Sequence, residues 1–201
     1  MIVLDIEATG LNSIQNGLLS IGALCFDNPR QQFYEECRID EGDVVSEEAL
    51  RINGFTKEQI FDKNKQTQEE LIKRFFKWVS EQEVRIFAGH NVGFFDLNFI
   101  KHKAVKYNLD IKTRYRSIDL GSVAQLIYFQ INKKFLIDDY RESAMSLREV
   151  LNFCGINDER KVHNALEDAK LAAECFSRLI HGKGLFKEYD NFKIPDYLIQ
   201  K

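Results

Sequence analysis

The opening stretch constrains this chain more than any other. Ile2, Val3, Leu4 and Ile6 form an apolar run that stops at Gly10, the pattern of a short strand covered on both faces. Asp5 and Glu7 interrupt it. Side chains alternate along a strand, so both acids project from one face near its C-terminal end. Like charges in an apolar setting repel and lose hydration, and a cation normally compensates them. A hard divalent metal is the simplest candidate. The plainer alternative is that one acid caps the following turn while the other is solvated.

The rest of the chain bounds what such a strand can serve. With 201 residues, 44% of them hydrophobic, there is enough apolar material for one globular domain with its own core. Most of the 16 phenylalanines are expected inside, although an aromatic ring near a site can also stack on a base. No run is long enough to span a bilayer and no leader pattern opens the sequence, so no membrane role and a cytoplasmic location are expected. Cys25, Cys37, Cys154 and Cys175 lie far apart and read as reduced thiols. The net charge of −3 excludes a global basic field, so a nucleic-acid partner would need a local site. Lys101, Lys103, Lys106, Lys112, Arg114 and Arg116 form one basic stretch, Lys133 and Lys134 another; each reads as a solvated face or a substrate contact.

Strands are expected at Leu18 to Phe26 and Gln32 to Ile39, separated by a turn at Asp27-Asn28-Pro29, which completes an antiparallel meander. Short helices follow, from Ser46 to Ile52 and after Thr56, then an amphipathic helix from Gln68 to Ser80. Val84 to Ala88 reads as a strand leading into Gly89-His90-Asn91, and Ser117 to Leu120 as the end of another. Helices are expected over Phe94 to Asn108, residues 121 to 131, Ser146 to Cys154 and Ala165 to about Ile180. A polar stretch, Asn132 to Ala144, separates two of them. Strands followed by alternating strands and helices suggest a mixed sheet flanked by helices. One domain covers residues 1 to 201, its motif-bearing core ending near 180 and residues 181 to 201 extending it.

Two more carboxylates stand out on this frame. Ile100, Ala104 and Tyr107 follow Asp96 at helical spacing, which puts Asp96 on an apolar stripe. Asn164 makes a good N-cap and Glu167 completes a capping box, whereas Asp168 shares a ridge with Ala172, Cys175 and Leu179. His163 falls just before the cap, beside that inward-facing aspartate. Asp5, Glu7, Asp96 and Asp168 are oxygen donors that suit Mg²⁺ or Mn²⁺, and such clusters can hold two ions about 3.5–4 Å apart for attack on a phosphodiester.

Asp5-Ile-Glu7-Ala-Thr-Gly-Leu, His90-Asn-Val-Gly-Phe-Phe-Asp96 and His163-Asn-Ala-Leu-Glu-Asp168 resemble the three motifs of the DEDDh 3′-to-5′ exonucleases. That group includes the proofreading subunit of the bacterial replicative polymerase, RNase T and oligoribonuclease. The resemblance implies an α/β, RNase H-like fold with a five-stranded mixed sheet. It also implies hydrolysis of single-stranded 3′ ends with release of nucleoside 5′-monophosphates. It gives Asp5, Glu7, Asp96 and Asp168 the role of metal ligands and His163 that of general base, with Asp96 acting partly through water. Thr9, Gly10, Leu11, His90, Asn91, Phe94 and Phe95 fall at substrate-binding positions. One residue more than in many members separates His90 from Asp96, so either Phe94 or Phe95 is inserted; the spacing from Asn91 to Asp96 equals that of oligoribonuclease. The motifs do not choose between DNA and RNA, nor between a homodimer and a polymerase-type partner. Two other readings are a haloacid-dehalogenase-like phosphatase, suggested by Asp5-x-Glu7-x-Thr9, and a silent nucleic-acid-binding domain.

Overall fold

The computed structural model describes residues 1–111 and 116–199. A five-stranded sheet runs in the order β3-β2-β1-β4-β5, with β1 (Ile2–Ala8), β2 (Leu18–Cys25), β3 (Asn28–Glu36), β4 (Phe87–Gly89) and β5 (Ser117–Asp119). The first three strands form the expected antiparallel meander, whereas β4 and β5 run parallel to β1, so the sheet is mixed. Pro29 lies within β3 rather than in the turn. That strand is at the sheet edge, where a missing N–H costs no ladder bond.

Helices cover both faces. On one side α3 (Gln68–Ser80) and α4 (Asp96–Lys106) pack on Ile2, Leu4, Ile6 and Ala8. On the other, α5 (Leu120–Asn132), α6 (Leu147–Phe153) and α7 (Ala165–His181) pack on Val3 and its neighbours. By the strand's alternation, Asp5 and Glu7 continue the Val3 row. The short α1 (Glu47–Asn53) and α2 (Lys57–Ile60) bring Leu50 and Ile60 into a smaller cluster with Leu19 and Ile39.

Gly22 decides how deep α7 sits. It pairs with Asp5 across β1 and β2, and a Cβ there would lie 2.1 Å from the backbone carbon of Ala165 and 2.2 Å from the nitrogen of Leu166. Without a side chain at that point, the first turn of α7 rests directly on the sheet beside the acids of β1. Asn164 caps α7 through Leu166 and Glu167, but the capping box is only half formed. The Glu167 carboxylate instead accepts from Lys170 at 2.8 Å.

The basic stretch is divided by packing. Lys103 is buried and pairs with Asp43 at 3.3 Å, and Lys106 pairs with Asp40 and Asp43, so these two lysines tie α4 to an acidic loop. Lys103 is thereby withdrawn from solvent, whereas Lys106 stays exposed beside its acidic partners. Arg116 is exposed, while Lys112 and Arg114 lie outside the described residues. The C-terminal segment docks on α7 through Glu174 and Arg178, and ends in α8 (Asp196–Ile199), whose Leu198 is buried.

Candidate active site

The acids converge because three elements end together. Pairing of β1 with β4 is limited to Ile2–Phe87 and Val3–Ala88, so farther along β1 the edge N–H of Ile6 needs another acceptor. Asp96, the first residue of α4, supplies it with Oδ1 at 2.9 Å. That bond fixes Asp96 beside Asp5 and Glu7, and the helix N-terminus favours a negative charge there. From the opposite face, the first turn of α7 presents Asp168.

The four carboxylates perturb one another. Burial first, and then the charges of Asp96, Asp168 and Glu7, raise the Asp5 carboxyl well above its usual range. Burial, Asp168 and Asp96 push Glu7 up to about 8, and burial pushes Asp96 up to about 8 against its backbone hydrogen bonds. Asp168 is also raised by burial, although Arg160 and His163 oppose the shift. The Oε1 atom of Glu7 is buried without a hydrogen-bond partner. Such a cluster favours protons or bound cations over four bare charges.

His163 is half-exposed. Its backbone N–H donates to Ile52 at 2.9 Å and its Nδ1 lies 3.3 Å from Asp168 Oδ2. Among the described residues, Glu7, His163 and Asp168 each offer a ligand atom within 4.8 Å of the others. Asp5 and Asp96 face the same space, a pocket of about 590 Å³. Its floor is the end of β1. Leu11 and Phe95 line it, and one wall comes from Ala49, Ile52 and Asn53 of α1.

Of the expected substrate positions, Gly10, Leu11, His90, Asn91 and Phe95 line this pocket. Leu11 is 87% exposed. Asn91 adopts the left-handed region with φ 55°, and its N–H donates to Asp119 at 2.6 Å. His90 is turned inward, where burial lowers its pKa and Nδ1 finds no partner. Thr9 and Phe94 do not line the pocket. The Thr9 hydroxyl is buried, donating to Val44 O and accepting from Gly17 N, so it braces the turn after β1. Phe94 points to solvent, 79% exposed. Phe95 packs on Phe99 with ring centroids 5.1 Å apart. Its backbone and that of Phe94 both donate to Asn91 O, closing the turn that carries the extra residue.

Sequence reasoning missed Arg160. Its guanidinium grips Asp158 through Nε and Nη2 at 2.8 and 2.7 Å and brings Nη1 within 2.9 Å of Asp168 Oδ1. A single loop arginine carries little signal, since most are solvated. The α1 wall was also missed, because its contacts with the pocket are long-range. Asn53 shows the link, donating to Ala8 O at 3.1 Å from the end of α1.

Residues 2–176 match the family model described as RNase T, Exonuclease. The chain is 27% identical over 194 residues to the DNA polymerase III subunit epsilon of Buchnera aphidicola, covering 91% of this chain and 75% of that protein. It is 25% identical over 179 residues to the PolC-type DNA polymerase III of Caldanaerobacter subterraneus, spanning 89% of this chain but only 11% of the polymerase. E. coli exonuclease I in complex with a dT13 oligonucleotide has a similar fold, with TM-score 0.69, 16% identity, and coverage of 88% of this chain and 40% of that one. No helix among the described residues is long and apolar enough to cross a membrane. The family match sets aside both the phosphatase and the silent binding domain: this chain belongs to the RNase T exonuclease family, as a DnaQ-like 3′-to-5′ exonuclease with an RNase H-like fold.

Proposed function

We propose that this nuclease removes nucleotides stepwise from single-stranded 3′ ends, using two divalent ions, Mg²⁺ or Mn²⁺, held by Asp5, Glu7, Asp96 and Asp168. The observation that carries this reading is the buried, unpartnered Oε1 of Glu7 within a set of carboxylates whose pKa values are raised by burial first and by their acidic neighbours second. Hard oxygen donors in that number suit a hard divalent cation. When bound, the ions would supply an activated water and stabilise the leaving oxygen.

The protein's own groups do the remaining work. Asp168 orients the His163 ring through Nδ1, which leaves Nε2 to accept the proton of the attacking water. Asp96 is held rigid by Ile6 N–H, with its second oxygen available to the site. Leu11 and Phe95 flank the acids with apolar surface, suited to the faces of terminal bases regardless of sequence. Gly10 keeps the strand end close to Asn16, since a Cβ there would lie 2.6 Å from the Asn16 side chain. His90 and Asn91 line both this pocket and a neighbouring one, along which the strand would leave.

DNA is the first substrate to test, because the curated relatives are DNA polymerase III proteins and exonuclease I is described with an oligo-dT strand. The same relatives make a polymerase the partner to test first, in the cytoplasm. The experiment is digestion of matched 5′-labelled DNA and RNA oligonucleotides. A ladder shortening from the 3′ end in Mg²⁺, absent with chelator, is expected. Shortening from the 5′ end, or cleavage of a circular single strand, would overturn the reading.

A further inference from the structure

We propose that Arg160 gates the metal site: its guanidinium competes with divalent cations for Asp168, and an incoming ion must displace it. This inference rests on the ligand set proposed above. Asp168 Oδ1 lies 2.9 Å from Arg160 Nη1, and Oδ2 lies 3.3 Å from His163 Nδ1. Both oxygens of one proposed ligand therefore already face nitrogen donors. A guanidinium and a dication cannot share that oxygen, because like charges a few ångströms apart in a buried site repel strongly.

The quality of the contacts shows which one yields. Arg160 forms a bidentate pair with Asp158, two well-aimed hydrogen bonds from Nε and Nη2. Nη1 meets Asp168 Oδ1 as a single ion-pair contact at 2.9 Å, and neither atom has another hydrogen-bond partner. Arg160 is thus held by its own loop and only leans on the acid. That loop joins α6 to α7 and is pinned at its far end, where His163 N–H donates to Ile52 and Val162 packs against Gly54. Asp158 and Arg160 can move outward together without breaking their pair.

A displaced guanidinium at the rim of this pocket meets the phosphates of a bound strand, for which its planar fork is well matched. Metal binding would then free a phosphate-binding cation, and a strand that captures it would clear the metal site. By linkage, ion and nucleic acid strengthen each other's binding by the same factor.

The test is calorimetric titration with Mn²⁺ of the wild-type chain, Arg160→Gln, Arg160→Lys and Asp5→Asn. Arg160→Gln is expected to bind Mn²⁺ about tenfold more tightly, within the usual range for coupling between two sites. Arg160→Lys, which keeps the charge, should stay nearer the wild type. A phosphorothioate single strand should tighten Mn²⁺ binding to the wild type more than to Arg160→Gln. A purely structural arginine would give the opposite sign, since its loss would loosen the site. Unchanged or weaker affinity in Arg160→Gln, with binding still lost in Asp5→Asn, overturns the gate and leaves the ligand set standing. Binding indifferent to Asp5→Asn overturns the ligand set and the gate with it. Should Arg160→Gln misfold, the wild type decides: the NMR resonance of the Arg160 Nη1 protons, which face Asp168, is expected to shift on Mg²⁺ addition, and a resonance unmoved at saturation overturns the gate.

Discussion

Glu174 and Glu7 are both buried carboxylates, 0% and 7% exposed, yet their surroundings differ in kind. Glu174 accepts from Arg178 Nε at 2.7 Å through one oxygen and from the N–H groups of Leu185 and Phe186 through the other. Arg178 in turn donates to Cys154 O and Tyr189 O. Each charge there is neutralised and hydrogen-bonded, and the result anchors the C-terminal segment to α7. Glu7 has three acidic neighbours, an oxygen without a partner, and a pKa pushed up to about 8. The same residue type thus serves as a clamp where its partners are built in, and as a ligand where they are left for a cation to supply. Burial of a charge is costly in both places, but only at the end of β1 does the fold leave that cost uncompensated.

Paired substitutions break the comparison most sharply. Asp5→Asn should abolish hydrolysis while raising the melting temperature in chelator, because it removes one of several repelling charges. Glu174→Gln should do the reverse, leaving specific activity near normal and destabilising the fold by about 3–5 kcal/mol, the usual effect of stripping one partner from a buried pair. Activity assays and thermal melts on both proteins check this. Full activity of Asp5→Asn in Mg²⁺ would remove the metal reading.

His163 tests whether the site holds more than ligands. His163→Ala should lower kcat by about 10²- to 10⁴-fold, the ordinary contribution of a general base. Substrate binding should persist. A raised KM with unchanged kcat would make His163 a binding residue.

Proton linkage separates the two clusters by a third route. Glu7 and Asp96 have folded-state pKa values pushed up to about 8, above their unfolded values. Between those limits the folded chain holds more protons than the unfolded one, so stability in chelator must fall as pH rises from about 4.5 to about 8. Each kcal/mol of that loss lowers the melting temperature of a chain this size by about 2–4 °C. Saturating Mg²⁺ should flatten the slope, and Glu7→Gln should reduce it. A melting temperature that is flat over this range in chelator would mean that the acids do not interact as described.

How much of this was legible follows from the range of each signal. Asp5 and Glu7 could be read from period two, Asp96 from a helical stripe and Asp168 from its ridge, since each depends on neighbours a few positions away. A mixed sheet flanked by helices followed from the order of strands and helices, whereas the strand order β3-β2-β1-β4-β5 did not. Gly22 could not be read, because its meaning lies in the backbone of Ala165, far along the chain. The burial of Lys103 depends on Asp43 in the same way, and Glu167 preferred Lys170 to its cap. Arg160 and Asn53 are also products of tertiary contact. The expected strand at Val84 to Ala88 is shorter, Phe87–Gly89, since Val84 and Ile86 stay partly exposed at the approach to the sheet.

The smallest effects belong to the two phenylalanines before Asp96, and they sharpen the comparison by asking what borders the acids. Phe94 is largely exposed and lies off the pocket, whereas Phe95 lines it and rests on Phe99 at 5.1 Å. Phe94→Ala should therefore change neither melting temperature nor strand binding by much, as expected for an exposed side chain. Phe95→Ala should weaken single-strand binding by about 1–3 kcal/mol if its ring stacks on a base. It should also cost some stability, because part of the ring packs on the core. Phe95→Leu separates the two contributions, since it keeps apolar volume against Phe99 but loses the flat face. Recovery of the melting temperature without recovery of binding would assign Phe95 to the substrate. Recovery of both would make it packing, and a binding loss confined to Phe94→Ala would move the stacking surface outside the pocket.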